Sequence, residues 1–230
     1  MVYRIISPLF ITRNLAQCLL CGDRAGDYGI CPACIEDLPF LENACETCAL
    51  PLLPPSQLCP ACLRQPPHYS RVRAAWHYAY PINQLIQRFK YHGDMAAGHS
   101  LAQLAAQALK PANQGPDLLV PIPLHWRRYW QRGYNQAQLV AAELGKQWQL
   151  PVRPRLLRKF GATQTQSQLR RNQRLRNLLH SFSVDENVER LHIGLVDDVL
   201  TTGATLEAAA LKLLEAGATK VSAFILARTP

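Results

Sequence analysis

Two acidic residues, Asp197 and Asp198, stand side by side between an apolar run, Ile193-Gly194-Leu195-Val196, and a small, hydroxyl-rich turn, Thr201-Thr202-Gly203-Ala204-Thr205. Adjacent carboxylates can accept hydrogen bonds from the vicinal hydroxyls of a ribose. The backbone N–H groups of a turn that opens a helix point at one spot and suit a phosphate dianion. Gly203 lets the backbone come close to that phosphate, and the threonine hydroxyls add donors. The alternative is a capped helix after a strand with two surface acids, which the combination of acid pair and hydroxyl-rich turn disfavours.

A second group of reactive residues lies at the other end of the chain. All eight cysteines fall within residues 1–65 as four C-x-x-C pairs, Cys18/Cys21, Cys31/Cys34, Cys45/Cys48 and Cys59/Cys62. A C-x-x-C turn aims two sulfurs at one point, and two such turns supply the four thiolates of a tetrahedral zinc site. A disulfide framework belongs to secreted chains, and a redox role does not need four copies in series. The expectation is two structural Zn²⁺ ions, each held by consecutive pairs in preference to an interleaved arrangement. Residues 1–65 carry four Arg and six acids, a net of −2. With eight thiolates and two Zn²⁺ the module reaches about −6. That charge speaks against a nucleic-acid grip and for a metal-dependent fold in a segment with little core of its own.

These residues need elements to hold them. From Val72 onward short apolar runs alternate with amphipathic stretches. The pattern predicts strands over 72–80, 118–122, 192–196 and 220–227, and helices over 82–91, 100–109, 135–147 and 205–216, the last closed by Gly217. Strands alternating with helices predict an α/β domain with a parallel sheet, whose ligands bind beyond the carboxyl ends of the strands. The expected organisation is a double zinc-binding module over 1–65, a linker over 66–71, and the α/β domain over 72–230.

The formal net charge of +9 is concentrated. Residues 118–184 hold twelve Lys/Arg against Glu143 alone, a net of +11, so a polyanionic partner belongs there. Its candidates for nucleic-acid contact are Arg158, Lys159, Arg170, Arg171, Arg174 and Arg176. Tyr129, Trp130 and Tyr134 interleave with Arg127, Arg128 and Arg132, and either stack bases or pack in the core. No apolar run reaches the ~18 residues of a membrane span. Leu15-Ala16-Gln17-Cys18 loosely matches a lipoprotein cleavage box, but Pro8 and Arg13 interrupt the segment before it, so a cytoplasmic protein without membrane insertion is expected.

The string LVDDVLTTGAT resembles the 5-phosphoribosyl-1-pyrophosphate (PRPP) motif of type I phosphoribosyltransferases. Val120-Pro121-Ile122-Pro123-Leu124-His125, then Gly133-Tyr134-Asn135-Gln136-Ala137, Phe89-Lys90-Tyr91-His92-Gly93 and the cysteine pairs narrow the resemblance to the ComF/GntX family, over nearly the whole chain. The resemblance implies a type I phosphoribosyltransferase fold behind a small four-cysteine zinc-binding module. It implies that Asp197 and Asp198 hold the ribose hydroxyls, that Thr201 to Thr205 hold the 5′-phosphate, and that Mg²⁺ accompanies PRPP. Pro121 to His125 would form the pyrophosphate loop, with Arg127, Arg128 and Lys90 as the catalytic cations that neutralise a leaving pyrophosphate. His125 either donates to a phosphate or packs in its loop. Residues 159–178 resemble the loop that closes over PRPP in this fold.

One departure bears on chemistry. Purine-salvage relatives carry an Asp three residues after the acidic pair, where this chain has Thr201, which disfavours purine salvage. Family members are associated with competence, DNA uptake and use of external DNA as a nutrient. Three readings therefore stand together: a PRPP- or nucleotide-binding protein serving DNA uptake or utilisation, with single-stranded DNA and the uptake machinery as partners; an active phosphoribosyltransferase of nucleotide metabolism without DNA contact; or a non-catalytic factor that handles single-stranded DNA.

Overall fold

The computed structural model describes residues 17–54, 56–111, 115–160 and 181–230, with Arg127 and Arg128 described by backbone alone. A four-stranded parallel sheet forms its centre, in the order β1 (Arg71–His77), β6 (Lys220–Arg228), β5 (His192–Leu200), β2 (Leu118–Pro121). The central strands read as near-continuous apolar runs because both faces are covered, as a parallel sheet requires. Along β6 alternate side chains go to opposite faces: Val221, Ala223 and Ile225 to one, Phe224 and Leu226 to the other.

On the second face lie α3 (Ile82–Tyr91), α4 (Met95–Ala108) and α6 (Gln136–Trp148), which contribute Phe89, Leu101, Leu144 and their neighbours to one core. On the first face lies α7 (Ala204–Glu215), with Leu206, Ala209 and Leu213 buried, beside the antiparallel hairpin of β3 (Leu157–Lys159) and β4 (Phe182–Val184). The expected α/β architecture, a parallel sheet flanked by helices behind a cysteine-rich module, is the one observed.

Local chemistry sets the helix ends. Asp94 caps α4 by accepting from the Ala97 N–H at 2.9 Å, so this helix begins at Met95, before the predicted residue 100. Asn135 caps α6 through the Ala137 N–H. Gly217, at φ +103°, closes α7: its N–H reaches the Leu214 carbonyl and that of Ala218 the Leu213 carbonyl, a Schellman pair.

The cysteine-bearing segment covers the β1 edge of the sheet. Leu41 N–H bonds the Ala75 carbonyl, His77 N–H that of Pro39, and Val72 N–H that of Thr47, so a sheet edge that would stand open is paired. Cys18, Ile30 and Leu38 continue the core that holds Trp76 and Phe89. Short helices α1 (Pro32–Glu36) and α2 (Pro60–Arg64) follow Cys31 and Cys59, each with proline at its first position. Segment 66–71 docks on α7, where both His68 N–H and its ring Nδ1 meet the Glu207 carboxylate, the ring at 2.5 Å. Among the described residues no helix is long and apolar enough to cross a membrane.

Candidate phosphoribosyl site and paired cysteine quartets

The acidic pair sits within β5, which runs to Leu200 and past the predicted end at Val196. β6 continues beside it, pairing Asp197 with Ile225 and Leu200 with Arg228, while β2 stops at Pro121 opposite Val196. The two acids therefore lie just beyond the end of one neighbour while the other still holds them straight. This is the carboxyl-end position at which open α/β sheets bind ligands. Gly203, at φ +77°, turns the chain into α7 in a conformation that other residues rarely adopt. The Glu207 N–H then closes the first helical turn on the Gly203 carbonyl at 2.8 Å. The turn Thr201–Thr205 and the two acids thus share one end of the sheet.

Asp198 is 8% exposed and pairs with Lys90 Nζ at 2.9 Å. Lys90 comes from the last turn of α3. Its predecessor Phe89 is fully buried and lies against Gly98 of α4, where a Cβ would stand 2.3 Å from the ring. Asp197 Oδ1 accepts from the Asp198 N–H at 2.9 Å. Burial, first, and the charge of Asp198, second, push the Asp197 carboxyl up to about 7, against the pull of that N–H and of Lys90 and Lys159. The structure thus brings Lys90 to Asp198, beside Asp197, although Lys90 was expected at a leaving group.

Residues 122–125 carry the chain from β2 into α5 (Trp126–Arg132), a helix that periodicity did not reveal. The Ile122 N–H bonds the Val196 carbonyl at 2.8 Å, and Asn135 Nδ2 donates to the Ile122 carbonyl at 3.0 Å. The second contact explains the Gly133-Tyr134-Asn135 string: one asparagine caps α6 and pins the proline loop. His125 packs beside Trp126, ring centroids 5.5 Å apart. Tyr134 donates its hydroxyl to the Phe89 carbonyl, tying α6 to the Lys90 segment. Between them opens a cleft of about 410 Å³ lined by Lys90, Tyr91, Gly93, Gln131, Arg132 and Tyr134, with the Arg132 guanidinium 5.1 Å from the Tyr91 ring centre.

Of the basic candidates, Arg158 pairs with Asp185 across the hairpin at 2.7 Å, and Lys159 lies 5.4 Å from the Phe182 ring centre. Arg170, Arg171, Arg174 and Arg176, with most of the 159–178 loop, lie outside the described residues, as do the side chains of Arg127 and Arg128. One residue escaped the sequence reading. Arg228, 8% exposed at the end of β6, donates through Nη1 to the Leu200, Thr201 and Thr229 carbonyls and through Nε to the Cys48 carbonyl. An arginine at the end of the apolar run 221–227 was its only signal.

The cysteines converge as two quartets, Cys18, Cys21, Cys31, Cys34 and Cys45, Cys48, Cys59, Cys62, each with its sulfurs within 4.8 Å of one another. Consecutive pairs combine, as expected. The Cys21–Cys31 and Cys48–Cys59 sulfurs stand 3.7 and 3.6 Å apart, close to the roughly 3.8 Å edge of a tetrahedron with Zn–S bonds of about 2.3 Å. The quartets repeat each other: Cys31 N–H bonds the Cys18 sulfur and Cys59 N–H the Cys45 sulfur, both at 3.3 Å. Burial opposes ionisation of Cys18, yet the backbone N–H groups of Cys21, Cys31 and Leu20 outweigh it and hold the thiol down to about 6. The hydrogen bond with Cys31, chiefly, pushes Cys34 up. Four crowded sulfurs cannot all ionise without a cation between them, and this donor set fits zinc.

Residues 14–63 match the double zinc ribbon domain family. The chain is 33% identical over 207 residues to the DNA utilization protein YhgH of Salmonella typhimurium, covering 88% of this chain and 91% of that one. It is 32% identical to competence protein F of Haemophilus influenzae over 87% of this chain and 90% of that one. The resemblance extends to competence protein ComFC of Bacillus subtilis, 33% identical over 68% of this chain and 64% of that one. Among solved structures, a glutamine PRPP amidotransferase from B. subtilis overlaps 60% of this chain and 30% of its own, at 19% identity and a TM-score of 0.42. A purine phosphoribosyltransferase from Pyrococcus horikoshii overlaps 56% of this chain and 82% of its own, at 14% identity and a TM-score of 0.36. At that distance neither carries chemistry over to this chain. The first two relatives match along nearly nine-tenths of the chain and of their own length, and the chain belongs to the ComF/GntX family of DNA utilization and competence proteins.

Proposed function

We propose that the β5–α7 end of the sheet binds PRPP or a related nucleotide, and that this binding serves the uptake or use of DNA. The observation that carries the reading is the placement of Asp197 and Asp198 beyond the end of β2, beside a Gly203-centred turn that opens α7. The carboxylates take the ribose hydroxyls and the turn takes the 5′-phosphate. Lys90 is displaced from Asp198 by the incoming hydroxyls and turns to the diphosphate. The carboxylates and the diphosphate together supply the hard oxygen donors that Mg²⁺ prefers. The cleft beside Lys90 offers room for an acceptor, which supports this reading. Zinc in the two cysteine quartets has a structural role. The names of the relatives supply the link to DNA, and eight unbridged thiols suit a cytoplasmic setting.

Calorimetry with PRPP and Mg²⁺ tests the binding, and pyrophosphate release with a panel of bases tests turnover. No heat of binding in the wild type refutes the site reading. Binding without pyrophosphate release assigns the protein a sensing or carrying role.

A second reading, direct contact with single-stranded DNA, is favoured by α5. Trp126, Tyr129 and Trp130 occupy i, i+3 and i+4 positions and are 57%, 50% and 78% exposed, so one aromatic face stands ready for bases to stack on. Tyr134, by contrast, packs beside Phe89. Anisotropy of labelled single strands at low salt, with Trp130→Ala in parallel, decides it. Direct contact predicts tight wild-type binding with a log–log salt slope of about −0.7 per neutralised phosphate, and weaker binding by the variant. Absence of wild-type binding confines the role to nucleotide chemistry.

A further inference from the structure

The second cysteine quartet and the proposed phosphate turn meet at a single buried side chain. Arg228 Nε donates to the carbonyl of Cys48, itself a ligand residue, at 3.3 Å. Nη1 of the same guanidinium donates to the Leu200 carbonyl at 3.1 Å and the Thr201 carbonyl at 2.7 Å, the two residues at the entry to the turn. A fourth bond, to the Thr229 carbonyl at 2.6 Å, fixes the group to its own strand end. No carboxylate pairs with Arg228 among the described residues. A charge this deeply buried needs partners for its donors, and here backbone carbonyls from both sides engage Nε and Nη1. The guanidinium is planar and rigid, so its two sides cannot adjust independently. If the Cys48 carbonyl shifts, the donors to Leu200 and Thr201 must rotate with it.

Two further contacts hold the same parts in register. The Val72 N–H bonds the carbonyl of Thr47, inside the Cys45–Cys48 turn, at 2.8 Å. Tyr69, 6% exposed, places its hydroxyl 3.6 Å from where a Cβ on Gly203 would stand. The first quartet has a different neighbour: the Leu19 carbonyl accepts from Arg88 Nη1 of α3 at 3.2 Å.

We propose that Arg228 is a positioning residue that couples the two sites, so that metal in the second quartet and a 5′-phosphate at the Thr201–Thr205 turn bind cooperatively. The proposal rests on the reading of that turn as the phosphate site. Coupling between sites is reciprocal: metal pre-orders the turn, and the bound phosphate retards metal loss. The second zinc ribbon is then a support for ligand binding as well as for folding, and the first is not coupled by this route.

The test compares matched variants by hydrogen exchange and by calorimetry with PRPP and Mg²⁺. Cys62→Ser removes a ligand of the second quartet, Cys34→Ser its counterpart in the first, and Arg228→Lys the planar fork. Cys62→Ser and Arg228→Lys are each expected to speed amide exchange over residues 201–205 and to weaken PRPP by roughly 5–150-fold, the usual span of such couplings. The double variant should bind hardly more weakly than either single. Cys34→Ser should leave exchange in the turn near wild type. Wild-type exchange over 201–205 in Arg228→Lys, or losses that multiply in the double variant, overturns the coupling. If wild-type protein binds no PRPP, the phosphate reading fails, while the exchange comparison still decides whether Arg228 links quartet and turn. Should Arg228→Lys not fold, the contrast between Cys62→Ser and Cys34→Ser in the same exchange measurement decides it.

Discussion

Replacing Asp197 by Asn removes a carboxyl that holds its proton up to about pH 7 in the folded chain, against 3.8 for an ordinary Asp. Between those values the folded state binds one more proton than the unfolded state, so stability falls as pH rises through the interval and levels off above 7. Each pH unit of that interval is worth about 1.36 kcal/mol. Thiolate sites release zinc in acid, so the usable window opens at about pH 5.5. From there to pH 7 the loss attributable to Asp197 is about 2 kcal/mol. Asn cannot ionise, so the variant escapes this loss. Urea unfolding of both proteins from about pH 5.5 to 8.5 should show Asp197→Asn gaining about 2 kcal/mol on the wild type across the window, while its affinity for PRPP falls. The difference between the two proteins is the quantity to read, because histidines and cysteines titrate alike in both. A difference that stays flat with pH would mean that Asp197 ionises like a surface acid, and the account of burial and Asp198 repulsion would be wrong. A gain in stability with a loss of affinity is what a site strained for its ligand should show.

Other outcomes follow from the same geometry. Asp198→Asn should weaken PRPP by about 1.5–3 kcal/mol, the worth of a charged hydrogen bond, and should also lower the unfolding midpoint because Lys90 loses its partner. Metal analysis should return two zinc ions per chain, and one in Cys31→Ser, with the second quartet intact; a measured disulfide in either quartet would refute the assignment. Gly98→Ala should cost about 1–3 kcal/mol in urea unfolding, because its Cβ meets the buried Phe89 ring at 2.3 Å, and the helix preference of Ala recovers at most ~1 kcal/mol of that. The same change should weaken PRPP, since Phe89 fixes Lys90.

Much of the site was written in local patterns. Cysteine spacing specified both quartets because a C-x-x-C turn is a complete half-site, and geometry leaves consecutive pairs close together. The acid pair and the Thr-Gly-Ala-Thr turn were legible because a strand end, a carboxylate pair and a helix start follow one another directly along the chain. What failed depended on distant partners. β5 was ended at Val196 because two charges look like a strand's end, yet β6 continues to pair with it through Leu200. β3 and β4 are three residues each, too short for alternation to register, and they pair across a long intervening segment. α5 lacks an apolar stripe because its aromatic face is exposed. Lys90 was expected at a leaving group since its motif lies far along the chain from Asp198, and tertiary packing, including that of Phe89 against Gly98 and Tyr134, brings them together.

Those failures share a cause that bears on how the protein works. Two of the missed contacts, Lys90 to Asp198 and Arg228 to Leu200 and Thr201, join elements distant in the chain to the β5–α7 end of the sheet. Arg88 reaches from α3 to the first quartet, and Arg228 reaches from β6 to the second. A domain built only to hold a phosphoribosyl group would need neither contact. Through them the first quartet is bonded to the helix that carries Lys90, and the second to the arginine that holds the entry of the turn proposed to carry the phosphate. Zinc content, stability and ligand affinity should therefore vary together in this protein, and a variant that separates them would show which wall is dispensable.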